Sequence, residues 1–143
     1  MKGIKSASDL ASIFLAHEAE FRRMAESIDS ADGLQWIAKD ESELSGDKRL
    51  YMKRTDEFYF QSMEPLSTEV YADLEKSASL LWESVIIDKT TVRKNSQFTK
   101  FYYASDFAQS AVIYYSASGE EPNESYILEK FKIDSNWYAV ILG

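Results

Sequence analysis

The stretch from Tyr126 to Leu142, YILEKFKIDSNWYAVIL, decides the fold. It reads as two strands, within 125–133 and 136–142, on either side of the turn chemistry of DSN. A turn that short makes its two strands antiparallel. The last strand, NWYAVIL, is apolar on both faces, so it belongs inside a sheet rather than at a free edge. Upstream, the same β-branched and aromatic character continues back to Val85. It divides into strands at 85–93, 98–105 and 109–118, with breaks at KNSQ, near Asp106 and at GEEPNE.

Before Val85 the period changes. Val70, Leu74, Ala78 and Leu81, widened by Tyr71 and Trp82, form the seam of a helix over about 67–83, with Ser67 or Thr68 as its N-cap. RLYMKRTDEFYF reads as two short strands, roughly 49–54 and 57–62, hinged near Thr55 and Asp56 and closed by Pro65, which cannot donate to a ladder. In LQWIAKDESELSGDK, Leu34, Trp36 and Ile37 need burial while 39–48 are polar, which gives a short element followed by a loop. A first helix is expected over about 8–28, because Leu10, Phe14, His17, Phe21, Met24 and Ile28 recur at steps of four and three on one face. Ser6 or Ser8 caps it, Asp9 sits near its positive end, and Gly33 is its left-handed stop.

Helix, hairpin, helix and then a run of antiparallel strands gives an α+β layer fold. Two main helices are expected on one face of a curved antiparallel sheet of about five to six strands, in a single domain over 1–143. The composition, 45% hydrophobic and 14% aromatic, is that of a chain with a core. No apolar run approaches the ~18 residues of a membrane span, and Asp9 interrupts the short apolar stretch after Lys2 and Lys5, so no leader is read and a cytoplasmic protein is expected. With no cysteine and one histidine, thiolate chemistry and thiol metal sites are excluded, and no metal or cofactor is expected. All but one unit of the net charge of −8 lies in the first 84 residues and would repel phosphate backbones, which argues against a nucleic-acid partner. It is also too dilute for a mimic of duplex DNA.

The order of elements, with the closing hairpin of 126–142 (a polar turn, then a tryptophan), resembles the NTF2-like (cystatin-like) superfamily. That resemblance implies a curved sheet wrapped around a long helix to form a cone. It implies a pocket in which some members place an Asp–His or similar pair, and dimers formed by packing sheets face to face.

Two sets of residues could carry function. His17 lies on the seam of the first helix, where it is either a hydrogen-bonded core residue or a base at a pocket wall; Glu129 or Asp106 are the acids that could orient it from the sheet. Six of the nine tyrosines, Tyr102, Tyr103, Tyr114, Tyr115, Tyr126 and Tyr138, fall in expected strands. The two doublets must each send one ring to either face. One set packs under the helices and the other is left for cross-strand pairing or for an interface. The acids of KDESELSGD (39–47) lack the spacing of a calcium loop. There is no phosphate-cradling glycine loop and no G-x-S-x-G elbow.

Two functions from different classes follow. One is a non-catalytic protein that binds a protein partner, or a second copy of itself as a homodimer, through an aromatic sheet face. The other is a pocket protein that binds or transforms a small apolar molecule with His17 at the wall.

Overall fold

In the computed structural model, which describes residues 3–85 and 91–143, the chain is α+β with three helices and an open antiparallel sheet of eight strands, more than the five to six expected. Helices α1 (Ala7–Ala16) and α2 (Glu18–Asp29) lead into β1 (Leu34–Ala38), a single 3-10 turn (Glu41–Glu43), β2 (Tyr51–Arg54) and β3 (Tyr59–Ser62). Helix α3 (Thr68–Ser84) then precedes β4 (Val92–Lys94), β5 (Thr99–Ser105), β6 (Ser110–Tyr115), β7 (Ile127–Lys132) and β8 (Trp137–Leu142). The order across the sheet is β2-β3-β1-β4-β5-β6-β8-β7. The strand expected over 85–93 falls mostly outside the described residues, and its described end is β4.

The single first helix is a correction. Ser6 caps α1 in a reciprocal box with Asp9, but the helix stops at Ala16. His17 bridges the two helices in a non-helical conformation (φ −131°), its N–H turning back to the Phe14 carbonyl at 3.0 Å. Seven residues of straight helix would separate Phe14 and Phe21 by about 10 Å along the axis. The break brings their ring centroids to 5.3 Å and lets both reach Trp137, at 4.7 and 6.3 Å. Phe101 meets Phe21 edge-on from the sheet at 5.5 Å. At the other end of this core, Trp82 and Tyr71 of α3 sit over Phe58 and Phe60, at 5.2 and 5.9 Å. All three helices therefore cover one face of the sheet, here called the inner face.

Strand β1 is the second difference. The segment expected to be a short element lies between β3 and β4 in the middle of the sheet, burying Leu34 and Ile37. The third concerns GEEPNE, which is no hairpin turn. Strand β8 lies between β6 and β7, so residues 116–126 must cross it before β7 begins. Residues 39–50 likewise cross β3 to join β1 to β2. The expectation that NWYAVIL is internal holds. The free edges are β2 and β7, and each carries two basic residues, Lys53 with Arg54 and Lys130 with Lys132, a placement that discourages edge-to-edge pairing.

Gly33 joins α2 to β1 at φ +85°, and its carbonyl accepts from the Met63 N–H at 2.9 Å. A Cβ there would stand 3.4 Å from the Met63 Cβ. Gly33→Ala is expected to cost about 1–2 kcal/mol, the penalty of a left-handed non-glycine residue, read as a lower urea midpoint with unchanged m. A variant as stable as wild type would contradict this reading of the α2–β1 joint.

Candidate functional site

Alternation along each strand separates the sheet's two faces, and the register links one residue from every strand into a single outer row. In spatial order this row runs Met52, Gln61, Trp36, Arg93, Lys100, Tyr114, Tyr138, Lys132. Their neighbours Phe60, Ile37, Val92 and Phe101 all point the other way, into the core beneath the helices. The outer face has its own smaller apolar cluster of Phe98, Val112, Tyr114, Tyr138, Val140 and Leu142. Val112, Tyr114 and Val140 are fully buried although no helix lies on that side. The crossing segment 116–126 covers them.

A carboxylate holds that segment down. Glu124 accepts from the Tyr114 hydroxyl at 2.6 Å, from Lys100 Nζ at 2.8 Å and from the Tyr126 hydroxyl. Lys130 Nζ fastens the same segment by donating to the Pro122 carbonyl at 2.7 Å, with Glu121 3.2 Å away. Burial alone would push the Glu124 carboxyl up, but its three donors outweigh burial and hold it below the ordinary carboxylate range. Burial would also lower the Lys100 ammonium, yet Glu124 keeps it above its usual value. The Tyr114 hydroxyl is pushed far up, by burial first and by Glu124 second. Glu124, Lys100, Tyr114, Tyr126 and Lys130 are each partnered, so their chemistry is that of a clamp.

A second clamp holds 39–50 over the other end of the outer face. The Gln61 side chain reads both backbone groups of Ser45, accepting from its N–H and donating to its carbonyl, each at 2.9 Å. Asp40 caps the 3-10 turn through Ser42, and Asp47 pairs with exposed Arg49, whose hydrogen bonds lower the Asp47 pKa to about 2. These acids are engaged in turn geometry. Among the described residues no group of three or more His, Asp or Glu could hold a metal ion.

Between the clamps the outer row is open at β1, β4 and β5. There the Arg93 guanidinium lies between two rings, 4.6 Å from the Trp36 centroid and 4.5 Å from that of Tyr102. All three residues are half-buried. Arg93 is directly opposite Lys100, a like-charge cross-strand pair that is intrinsically unfavourable. Lys100 is neutralised by Glu124, whereas Arg93 meets no carboxylate among the described residues. Its Nε is buried without a hydrogen-bond partner. Two ring contacts at ~0.5–2 kcal/mol each offset a buried unpartnered N–H that costs ~1–3 kcal/mol, so the arrangement is held with little net gain.

The sequence-selected residues divide. Tyr114 and Tyr138 point outward but are buried beneath 116–126. Tyr126 lies on that segment and is exposed, and Tyr102 borders the open window. Tyr103 and Tyr115 pack against the core on the inner side. Tyr115 lies tilted against Trp137 at 4.8 Å and donates to Asp29, and burial together with that carboxylate raises its pKa to about 12.

His17 is half-buried at the helix break and caps nothing with its side chain. Glu129 instead accepts from the Ala7 N–H at the start of α1, and Asp106 from the N–H groups of Ala108 and Gln109. A cleft of about 60 Å³ lies beside Asp29, Lys94 and Tyr115, away from His17, and is far smaller than the ~300 Å³ at which ligand pockets begin.

Sequence reasoning passed over Arg93, Lys100 and Glu124 and marked Trp36 only as apolar. The available signal was the basic residues inside VRK and TKF, since the eight strands hold seven bases and a single acid, Glu129. The chain matches no family model, no curated protein and no solved structure. No described helix is long and apolar enough to cross a membrane.

Because the Glu124 carboxyl is depressed in the folded state, the stability it contributes is present above the unfolded value, about 4.3, and is lost as pH falls through its folded value. Glu124→Gln is therefore expected to cost about 1–3 kcal/mol at pH 7 in urea denaturation, with the gap to wild type narrowing below about pH 4. An equal difference at pH 7 and pH 3 would contradict the clamp. His17→Leu, by contrast, removes no side-chain hydrogen bond, and its urea midpoint is expected to equal or exceed that of wild type.

Proposed function

We propose that the protein is a non-catalytic binding module whose recognition surface is the open middle of the outer sheet face, bordered by the crossing segments 39–50 and 116–126. A single observation carries this reading: Trp36 and Tyr102 are half-buried around Arg93, while Tyr114 and Tyr138 on the same face are sealed. Large, rigid side chains with one apolar face and a polar tip are what protein interfaces concentrate at their centres. The window is flat and built on strands, so it presents a fixed shape with little ordering cost on contact. It takes Tyr102 from the aromatic set and adds Trp36, with Tyr126 on its rim.

The surrounding charge favours a partner that approaches the sheet. The three α-helices carry nine acids and three bases, the reverse of the strands. Net negative charge and a basic sheet layer steer an incoming protein by orientation, which affects the rate of encounter more than its final strength.

A photo-cross-linking residue placed at Tyr102, and separately at Lys76 on the exposed side of α3, tests the surface in cells that make the protein. Cross-links to a discrete protein, or to a second copy of the chain, are expected from position 102 and not from position 76. Adducts from position 76 alone, or from neither position, would contradict the reading.

A further inference from the structure

The tip of Arg93 is the most specific feature of the window. A guanidinium flanked by rings with centroids 4.6 and 4.5 Å away is approached by a ligand along its free edge. That edge presents a planar fork suited to two parallel hydrogen bonds with a carboxylate. Its Nε–H is buried and unpartnered, while the terminal nitrogens do not share that burial and meet no acceptor among the described residues.

The neighbouring charges define the anion. Lys100 is occupied by Glu124 at 2.8 Å, and Lys132 lies at the far edge of the row on β7. At the window itself Arg93 is thus the one cation without an ion pair among the described residues, too few for a phosphate polymer that is gripped by many at once. A second guanidinium, Arg54, lies 5.4 Å from the Tyr59 centroid on the same face, also without an ion pair among the described residues. Strands β2 and β4 are three strand spacings apart, roughly 15 Å, which an extended peptide spans in about five residues.

We propose that the guanidinium of Arg93, held between Trp36 and Tyr102, is a recognition site for one carboxylate side chain of an extended acidic segment in a protein partner. The proposal rests on the outer face being the binding surface. It adds the chemistry recognised there. A bound carboxylate would pair with the terminal nitrogens of Arg93 and offset its like-charge contact with Lys100 in one step. Trp36 and Tyr102 would then flank the aliphatic stem of the incoming side chain.

The test uses the whole protein and three probes: acetyl-Ile-Glu-Ile-amide, acetyl-Ile-Gln-Ile-amide and inorganic phosphate, each titrated while the Arg93 Nε–H resonance is followed by NMR. Saturable movement with the glutamate peptide is expected. The glutamine peptide and phosphate should each bind at least tenfold more weakly, and Arg93→Lys should lose at least tenfold for the glutamate peptide. Equal affinity for the glutamate and glutamine peptides, or tighter binding of phosphate, would overturn the proposal. So would undiminished glutamate-peptide binding by an Arg93→Lys variant with a wild-type backbone spectrum. If that variant fails to fold, the comparison of probes on wild type decides alone. Cross-links from position 102 without glutamate selectivity would leave the surface standing and remove the carboxylate; selectivity without those cross-links would do the reverse.

Discussion

Glu124 sits where the topology needs it. With β8 placed between β6 and β7, residues 116–126 have to travel back across the outer face, and a loop laid over apolar strands brings backbone polar groups into a place poor in water. One carboxylate that accepts from Lys100, Tyr114 and Tyr126 makes this route favourable, because it ties the loop to two strands through charge-assisted bonds. The covered cluster of Val112, Tyr114, Tyr138 and Val140 would otherwise be a contiguous apolar patch in water. Gln61 and Ser45 serve the other crossing with neutral bonds. What neither segment reaches defines the window.

The consequence is a sheet with two unlike faces. The inner face is a conventional core whose aromatic cluster, Phe14, Phe21, Phe101 and Trp137, required the first helix to break at His17. The outer face is a row of large side chains in which Gln61, Lys100 and Tyr114 each have a polar partner and the buried Nε of Arg93 has none. A protein selected for stability alone could place a threonine or valine at that position and lose the like-charge contact with Lys100. The retained guanidinium therefore marks the place where the structure gives up local consistency, as binding sites commonly do.

Much of this was legible in the chain. The strands at 98–105, 109–118, 125–133 and 136–142 and the helix after Ser67 fall close to β5 through β8 and α3, because long alternating or 3.6-period runs carry strong local signals. The helix break was not legible, since nothing between Ala16 and Glu18 breaks a helix by propensity and only the position of Trp137 calls for it. Nor was the crossing of 116–126, because GEEPNE has the residues of a turn and its length alone does not say which strand it passes. The tyrosines could be placed in strands but not sorted, as the sorting depends on the loop that covers two of them. For Arg93 the sequence offered only a cation within a strand, next to Lys94; its two flanking rings come from β1 and β5, far apart in the chain.

The central claim is that the outer sheet face is covered over Gln61 on one side and over Tyr114 and Tyr138 on the other, and open between them. Paramagnetic broadening by a neutral gadolinium chelate tests it most directly, with ring protons of Trp36, Tyr102, Tyr114 and Tyr138 assigned in the intact protein. The account predicts strong broadening at Trp36 and Tyr102 and near-complete protection at Tyr114 and Tyr138. Similar broadening of all four rings would mean that residues 116–126 do not cover the sheet, and would contradict it.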